Sequence, residues 1–213
     1  MKAWTFVIVL AILLIAFAIY DVVKPFSSGV ATSTTPTVTP GIIAGVTSVQ
    51  YQNSQLEFSI WYPETAASSQ VNFDGFLPVT QTPVVSFVLP SSMFQGTNLG
   101  EAGVYIGATT TPAIVSACTQ VLPDSGESAT TTETINGSAF TVFTASDAGA
   151  GNFYESKIYR TVQNGACLEI VELLHSGNIG NYTPGTVVEF DHAKFSRILD
   201  AIVHTYESIP TGQ

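Results

Sequence analysis

Residues 152–175 read NFYESKIYRTVQNGACLEIVELLH, two runs rich in aromatic and β-branched side chains that meet at Asn164-Gly165. Asn-Gly suits the two consecutive positive-φ positions of a type I′ turn, so the stretch predicts a β-hairpin. Its second arm carries Cys167, Leu168, Ile170, Val171, Leu173 and Leu174 almost without interruption. A strand that apolar needs cover on both faces. The expected fold is therefore a sheet with material packed on each side.

Working outward, Asn136-Gly137 repeats the turn signal and joins a strand at 131–135 to one at 139–145. Upstream, Leu56, Phe58, Ile60 and Tyr62 alternate with polar residues until Pro63, and a strand at 46–51 is placed to pair with them through a turn at 52–55. Ala102, Val104, Ile106 and Ala108 alternate in the same way. The apolar run 83–89 is expected to be a central strand. Thr111-Pro112 has the form of a helix start, and the short helix it opens would carry Cys118. Downstream, Phe195, Ile198, Leu199, Ile202, Val203 and Tyr206 recur at helical spacing. Asp191 is placed as N-cap or first-turn anion, and Lys194 and Arg197 fall on the opposite, wet face. Strands, a short helix, more antiparallel strands and a closing helix make an α+β domain, an antiparallel sheet flanked by helices, over residues 46–213.

Two segments precede it. Residues 1–24 hold an apolar run from Ala3 through Ile19, extended by Val22 and Val23, with Lys2 before it. Its length approaches the roughly 20 residues that cross a bilayer as one helix. The positive N-terminus predicts an N-in, C-out anchor, with the membrane engaged through residues 3–23 and the domain outside the cytoplasm. The alternative is a signal peptide cleaved after Ala18, within Ala16-Phe17-Ala18, which would release the domain as a secreted protein. Residues 25–45 are rich in Ser, Thr, Pro and Gly and read as an extended spacer.

The chain has 213 residues, of which 10% are charged, and a formal net charge of −10. Beyond residue 24 the cations are Lys157, Arg160, Lys194 and Arg197, which form no basic stripe, so nucleic acid is excluded as a partner. Cys118 and Cys167 are the two cysteines. In an exported chain an even pair reads as a disulfide, and two buried free thiols is the alternative.

Several stretches are similar to known proteins. YQNSQLEFSIWYP (51–63) resembles the start of PsbP/Mog1-like domains, and FSRILDAIVHTYE (195–207) resembles their terminal helix. TNLGEA, AGAGNFYESKIYRT, NGACLEI and HSGNIGNY resemble uncharacterised exported bacterial proteins with such a domain. The resemblance runs from Val46 to Glu207 and implies a PsbP/Mog1-like α/β/α sandwich. It brings no catalytic residues.

Candidate chemistry concentrates in two Gly/Asn-rich segments, 147–152 and 175–182, that flank the long hairpin. The ends of a hairpin lie side by side, so both are expected at the edge away from Asn164-Gly165. Asp147, Asn152, His175, Asn178 and Asn181 are the candidate ligand-binding residues; the plainer reading is that the glycines only permit tight turns. His175 with Asp147, and Glu155 as a third group, would be an acid–base or metal set. Metal sites need three or four converging donors, and the spacing of these residues does not supply them, so no metal ligand is assigned. Arg160 is expected to pair with Glu169 or Glu172 across the hairpin as a weak surface contact. Asn98 and Gly100 are expected to shape a turn that leaves Glu101 exposed. No nucleophile elbow, S-x-x-K motif, Walker A loop or dinucleotide fingerprint occurs, and no cofactor is implied. Asn136-Gly137-Ser138 and Asn181-Tyr182-Thr183 match the glycosylation sequon. The function expected is a tethered, non-enzymatic module for an envelope protein or glycan, with an exposed aromatic patch sought at Trp61, Phe73 or Phe76. The alternatives are a small-ligand or divalent-metal binder, or a hydrolase, using the two Gly/Asn segments.

Overall fold

The computed structural model describes residues 42–43, 45–70, 76–121 and 126–209. The anchor segment 1–24, nearly all of the spacer and Phe73 lie outside the described residues. Among the described residues no helix is long and apolar enough to cross a membrane.

The strands divide over two sheets rather than one. A four-stranded sheet has the order β1-β2-β3-β11, built from Ile42–Ile43, Val46–Asn53, Phe58–Pro63 and Glu207–Ser208. A seven-stranded sheet has the order β4-β5-β6-β10-β9-β8-β7. Its strands in chain order are β4 (Ala67–Ser69), β5 (Pro83–Val88), β6 (Leu99–Thr109), β7 (Glu127–Ile135), β8 (Ser138–Gly149), β9 (Asn152–Gln163) and β10 (Ala166–Gly177). Both Asn-Gly turns form as expected, with φ of 45° and 85° at Asn136 and Gly137, and 51° and 73° at Asn164 and Gly165. The 83–89 strand was expected at the centre; it lies second from the edge, and β10 is central. Its apolar character comes from cover on both faces, which an off-centre strand can also receive.

Cross-strand partners share a face, and alternate residues along a strand share it too. One face of the large sheet carries Ala102, Val104, Ile106, Leu168 and Ile170. Against it pack β3, through Phe58 and Ile60, and the helix α2 (His192–Val203). Asp191 caps α2 by accepting from the Lys194 amide at 2.9 Å. Phe195, Ile198, Leu199, Ile202 and Val203 are its buried residues, each worth roughly 1.5–3 kcal/mol of burial, while Lys194 and Arg197 stay exposed.

The other face carries Tyr105, Phe143, Ile158 and Val171, covered by Phe76 and Leu77. The short helix α1 (Pro112–Ala117) lies on this face as well, and the Cys118–Cys167 disulfide joins its C-terminal end to β10. Gly107 in β6 permits the close cover: a Cβ there would collide with Thr80 and with Leu77. Gly107→Ala is expected to destabilise the domain by about 1–3 kcal/mol through overpacking, read as a lower urea midpoint at unchanged slope. An unshifted midpoint would mean that the 76–82 segment is loosely held.

Arg160 is not a surface residue. Its side chain is 0% exposed and lies between Glu127 of β7 and Glu169 of β10, with Nε 3.3 Å from Glu169. It donates to the carbonyls of Cys118 at 3.4 Å and Gln120 at 3.2 Å, and it sits 4.0 Å over the Phe143 ring. Glu169 accepts from the backbone amides of Val79 and Thr80 and from the Thr80 hydroxyl. Burial raises the Glu169 carboxyl above its usual range, although the Thr80 bonds and the Arg160 charge pull against it. Glu172 belongs to the opposite face and does not join this set. One residue of parity moves a side chain across the sheet, and the α1 end and the 76–82 segment then close over what faces them.

Candidate functional site

The large sheet is wider than its cover. Seven strands span roughly 30 Å at ~4.8 Å each, and α2 with β3 of the small sheet leaves part of that width uncovered. Beside α2, the upper ends of β7, β8 and β9 are left open on the helix face. Three rows of side chains face that opening. The first is Ser128, Thr144, Lys157 and Glu172, the second Ser146, Glu155 and Leu174, and the third Ala148, Phe153 and Ser176.

Two contiguous cavities result. One of about 420 Å³ lies over the first two rows, walled by His192, Ser196 and Asp200 of α2. The other, about 830 Å³, lies over the third row and reaches Asn178, Ile179, Glu189 and Phe190. Ser146, Glu155 and His192 line both. The His192–Glu155 pair, at 2.9 Å, stands where they meet.

The smaller cavity has an ionisable floor. Lys157 Nζ donates to Asp200 at 2.7 Å. The Tyr159 hydroxyl contacts Glu172 at 3.0 Å and Asp200 at 3.2 Å. Burial, reinforced by the nearby Asp200 charge, pushes the Glu172 carboxyl up to about 8. Partial burial works to raise Asp200, but its bonds from Lys157 and Tyr159 outweigh that and hold it low. Lys157 is raised, because Asp200 and Glu172 together outweigh its own desolvation. Tyr159 is pushed far up by burial and by the same two carboxyls, so it stays a donor.

The Glu172 shift has a pH consequence. An ordinary glutamate titrates near 4.5, so between that pH and about 8 the folded state holds a proton that the unfolded state releases. The stability linked to that proton is fully present below about 4.5 and is lost as the pH rises through about 8. Asp200, with its lowered value, acts in the opposite sense and below about 3.8. Glu172→Gln keeps the shape and cannot ionise. Its urea midpoint is expected to exceed that of the unchanged protein at alkaline pH, with a slope of stability against pH flatter by up to ~1.4 kcal/mol per unit. Superimposable profiles would show that Glu172 is already ionised in the fold.

The Gly/Asn segments do meet. The Asn178 amide donates to Gly151 O at 2.8 Å, and Asn181 Nδ2 to the same oxygen at 3.3 Å. They are shorter than expected, because β8 runs through Gly149 and β10 through Gly177. The turn itself is Ala150-Gly151, both at positive φ, and a Cβ on Gly151 would strike the Asn181 amide. The candidate residues part company here. Asp147 and Asn178 line the larger cavity. His175 Nε2 contacts Asn152 Oδ1 at 3.0 Å and its ring stacks on Tyr154, on the face away from α2. Asp147 is two strands from His175 with Tyr154 between them, and Glu155 points to the other face. The expected acid–base set is therefore not assembled. Among the described residues no three His, Cys, Asp or Glu are grouped to hold a metal ion.

Other expectations change as well. Asn98 is buried and staples β10 to the following loop, donating to Gly177 O at 2.8 Å and accepting from the Phe190 amide at 2.9 Å. Glu101 is bonded by the Tyr105 hydroxyl. The Asn136 side chain donates to the carbonyls of His204 and Tyr206, so that sequon asparagine is in use at the end of α2. The cleft residues Lys157, Glu172 and Asp200 were missed. The available signal was a glutamate inside an apolar strand, which parity assigns to one face only when the cover is known.

No protein-family model matches the chain, and no curated protein does. Among solved structures the chain is similar to the cyanobacterial PsbP (CyanoP) of Synechocystis sp. PCC 6803, at 10% identity and TM-score 0.46, over 81% of this chain and 97% of that one. It is similar to a protein of Bacteroides thetaiotaomicron VPI-5482, at 12% identity and TM-score 0.41, over 77% of this chain and 49% of the other. It is also similar to LpqN, involved in cell envelope biogenesis of Mycobacterium tuberculosis, at 10% identity and TM-score 0.40, over 81% and 90%. Likenesses of this size assign neither a family nor an activity.

Proposed function

We propose that the chain is a membrane-tethered domain, held outside the cytoplasm by residues 3–23, that works as a binding module for an envelope protein or glycan. The observation that supports this is where the large apolar side chains surface. Among the described residues, six such side chains are exposed, and four of them, Phe153, Ile179, Tyr182 and Val188, gather about the larger cavity. Phe153 and Ile179 line it, Tyr182 belongs to the same loop as Ile179, and Val188 precedes the lining residues Glu189 and Phe190. Clustered apolar exposure beside a polar cleft is the usual form of an interaction site. The patch was expected elsewhere: Trp61 and Phe76 are instead half-buried, packed on the core and against Tyr105.

The test uses the full chain in nanodiscs with a photo-crosslinker at position 153, at 188 or, as a remote exposed control, at Val162. Solubilised envelope material is expected to crosslink at 153 and 188 and not at 162. Equal labelling at all three positions would overturn the reading. The orientation is tested separately in intact cells, where external protease is expected to cut the domain from its tether.

A further inference from the structure

Resting on that reading, we infer that the cleft takes a neutral glycan chain, laid along the strands from Phe153 to Ser196. Three observations carry it. The first is shape. The two cavities adjoin at Ser146, Glu155 and His192, and the outer rows are four residues apart along the strands, about 13 Å at ~3.3 Å per residue. A linear ligand fits this better than a compact one.

The second is charge. The cation on the cleft floor, Lys157, is held by Asp200, and His192 is held by Glu155. Among the described lining residues no Arg or further Lys is present to meet a phosphate, sulfate or uronate, and Glu189 would repel one. Asp200 and Glu155 already have their partners, so a cationic chain gains little there as well.

The third is what the floor offers. β8, β9 and β10 are paired on both sides through the cleft, so the backbone groups of its floor are spent in the ladder; β7, the edge strand, has one side outside the ladder and lies at the rim rather than on the floor. An extended peptide needs an open edge for main-chain hydrogen bonds. Floor and rim present side chains instead: the hydroxyls of Ser128, Thr144 and Ser146 and the carboxyl of Glu155, with Ser196 on the wall. These donate and accept at short range, as sugar hydroxyls do, and Phe153 supplies an apolar ring for a sugar face.

The experiment is titration calorimetry of the full chain in nanodiscs with neutral hexasaccharides of glucose, galactose, mannose and N-acetylglucosamine, with dextran sulfate and an oligolysine as charged controls. At least one neutral hexamer is expected to bind, and neither control. Phe153→Ala should weaken that binding at least tenfold. Ser196→Phe, which fills the smaller cavity from the helix surface, should reduce the affinity for the hexamer to that for the trimer. Failure of every neutral hexamer overturns the glycan inference, as does equal binding of dextran sulfate or oligolysine. If position 153 still crosslinks a protein partner in that case, the binding-module reading stands alone. If it crosslinks nothing, both fall.

Discussion

Arg160→Met is expected to destabilise the domain by about 3–5 kcal/mol, because it leaves Glu127 and Glu169 facing each other without their cation in a closed interior. A surface pair would contribute less than about 1 kcal/mol, and the full burial of Arg160 is what separates the two cases. The guanidinium also ties together segments far apart in sequence, through the carbonyls of Cys118 and Gln120 and through the carboxylates of β7 and β10. The measurement is a urea titration near neutral pH, with Lys157→Met as the half-exposed comparison. A second readout keeps the prediction testable if the variant folds poorly. Burial already raises the Glu169 carboxyl, and removing the Arg160 charge that pulls it down raises it further. Stability in the variant should then be greatest below about 4.5 and fall as the pH climbs, and adding Glu127→Gln and Glu169→Gln should recover much of the loss. A loss under about 1 kcal/mol would show that water reaches Arg160.

The second large effect belongs to the disulfide. Cys118 and Cys167 are 49 residues apart in sequence, with Cα atoms 5.6 Å apart and both side chains buried. Closing a loop of that length removes chain entropy from the unfolded state worth about 4 kcal/mol. The Cys118→Ala/Cys167→Ala variant is expected to lose about that much, read from urea midpoints against the oxidised protein. A loss near zero would mean that α1 is anchored by Val79, Ile114 and Val115 alone. The two predictions are coupled, since Arg160 holds the Cys118 carbonyl that the disulfide also positions. The combined variant should therefore lose less than the sum of the two.

The candidate site was legible in part. Sequence placed the 147–152 and 175–182 segments side by side because a hairpin must return to where it began, and Gly151 does receive both Asn178 and Asn181. It put His175 and Asp147 together as well, which fails because they lie two strands apart, with Tyr154 of β9 between them and stacked on the His175 ring. The cleft lies on the other face of the same strands, lined by Lys157, Glu155 and the buried Glu172.

By itself the sequence determined what depends on near neighbours along the chain. The two Asn-Gly turns follow from positive φ at adjacent residues. The terminal helix follows from apolar spacing that matches its own turn, and its start from an aspartate able to reach the Lys194 amide. The tertiary structure decided what depends on cover: that β2 and β3 leave for a second sheet, that β6 inserts beside β10, that Arg160 is sealed in, and that one end of the sheet stays open beside α2. The physical reason is that a strand's pattern states which residues share a face, while the desolvation of that face is set by segments distant in the chain.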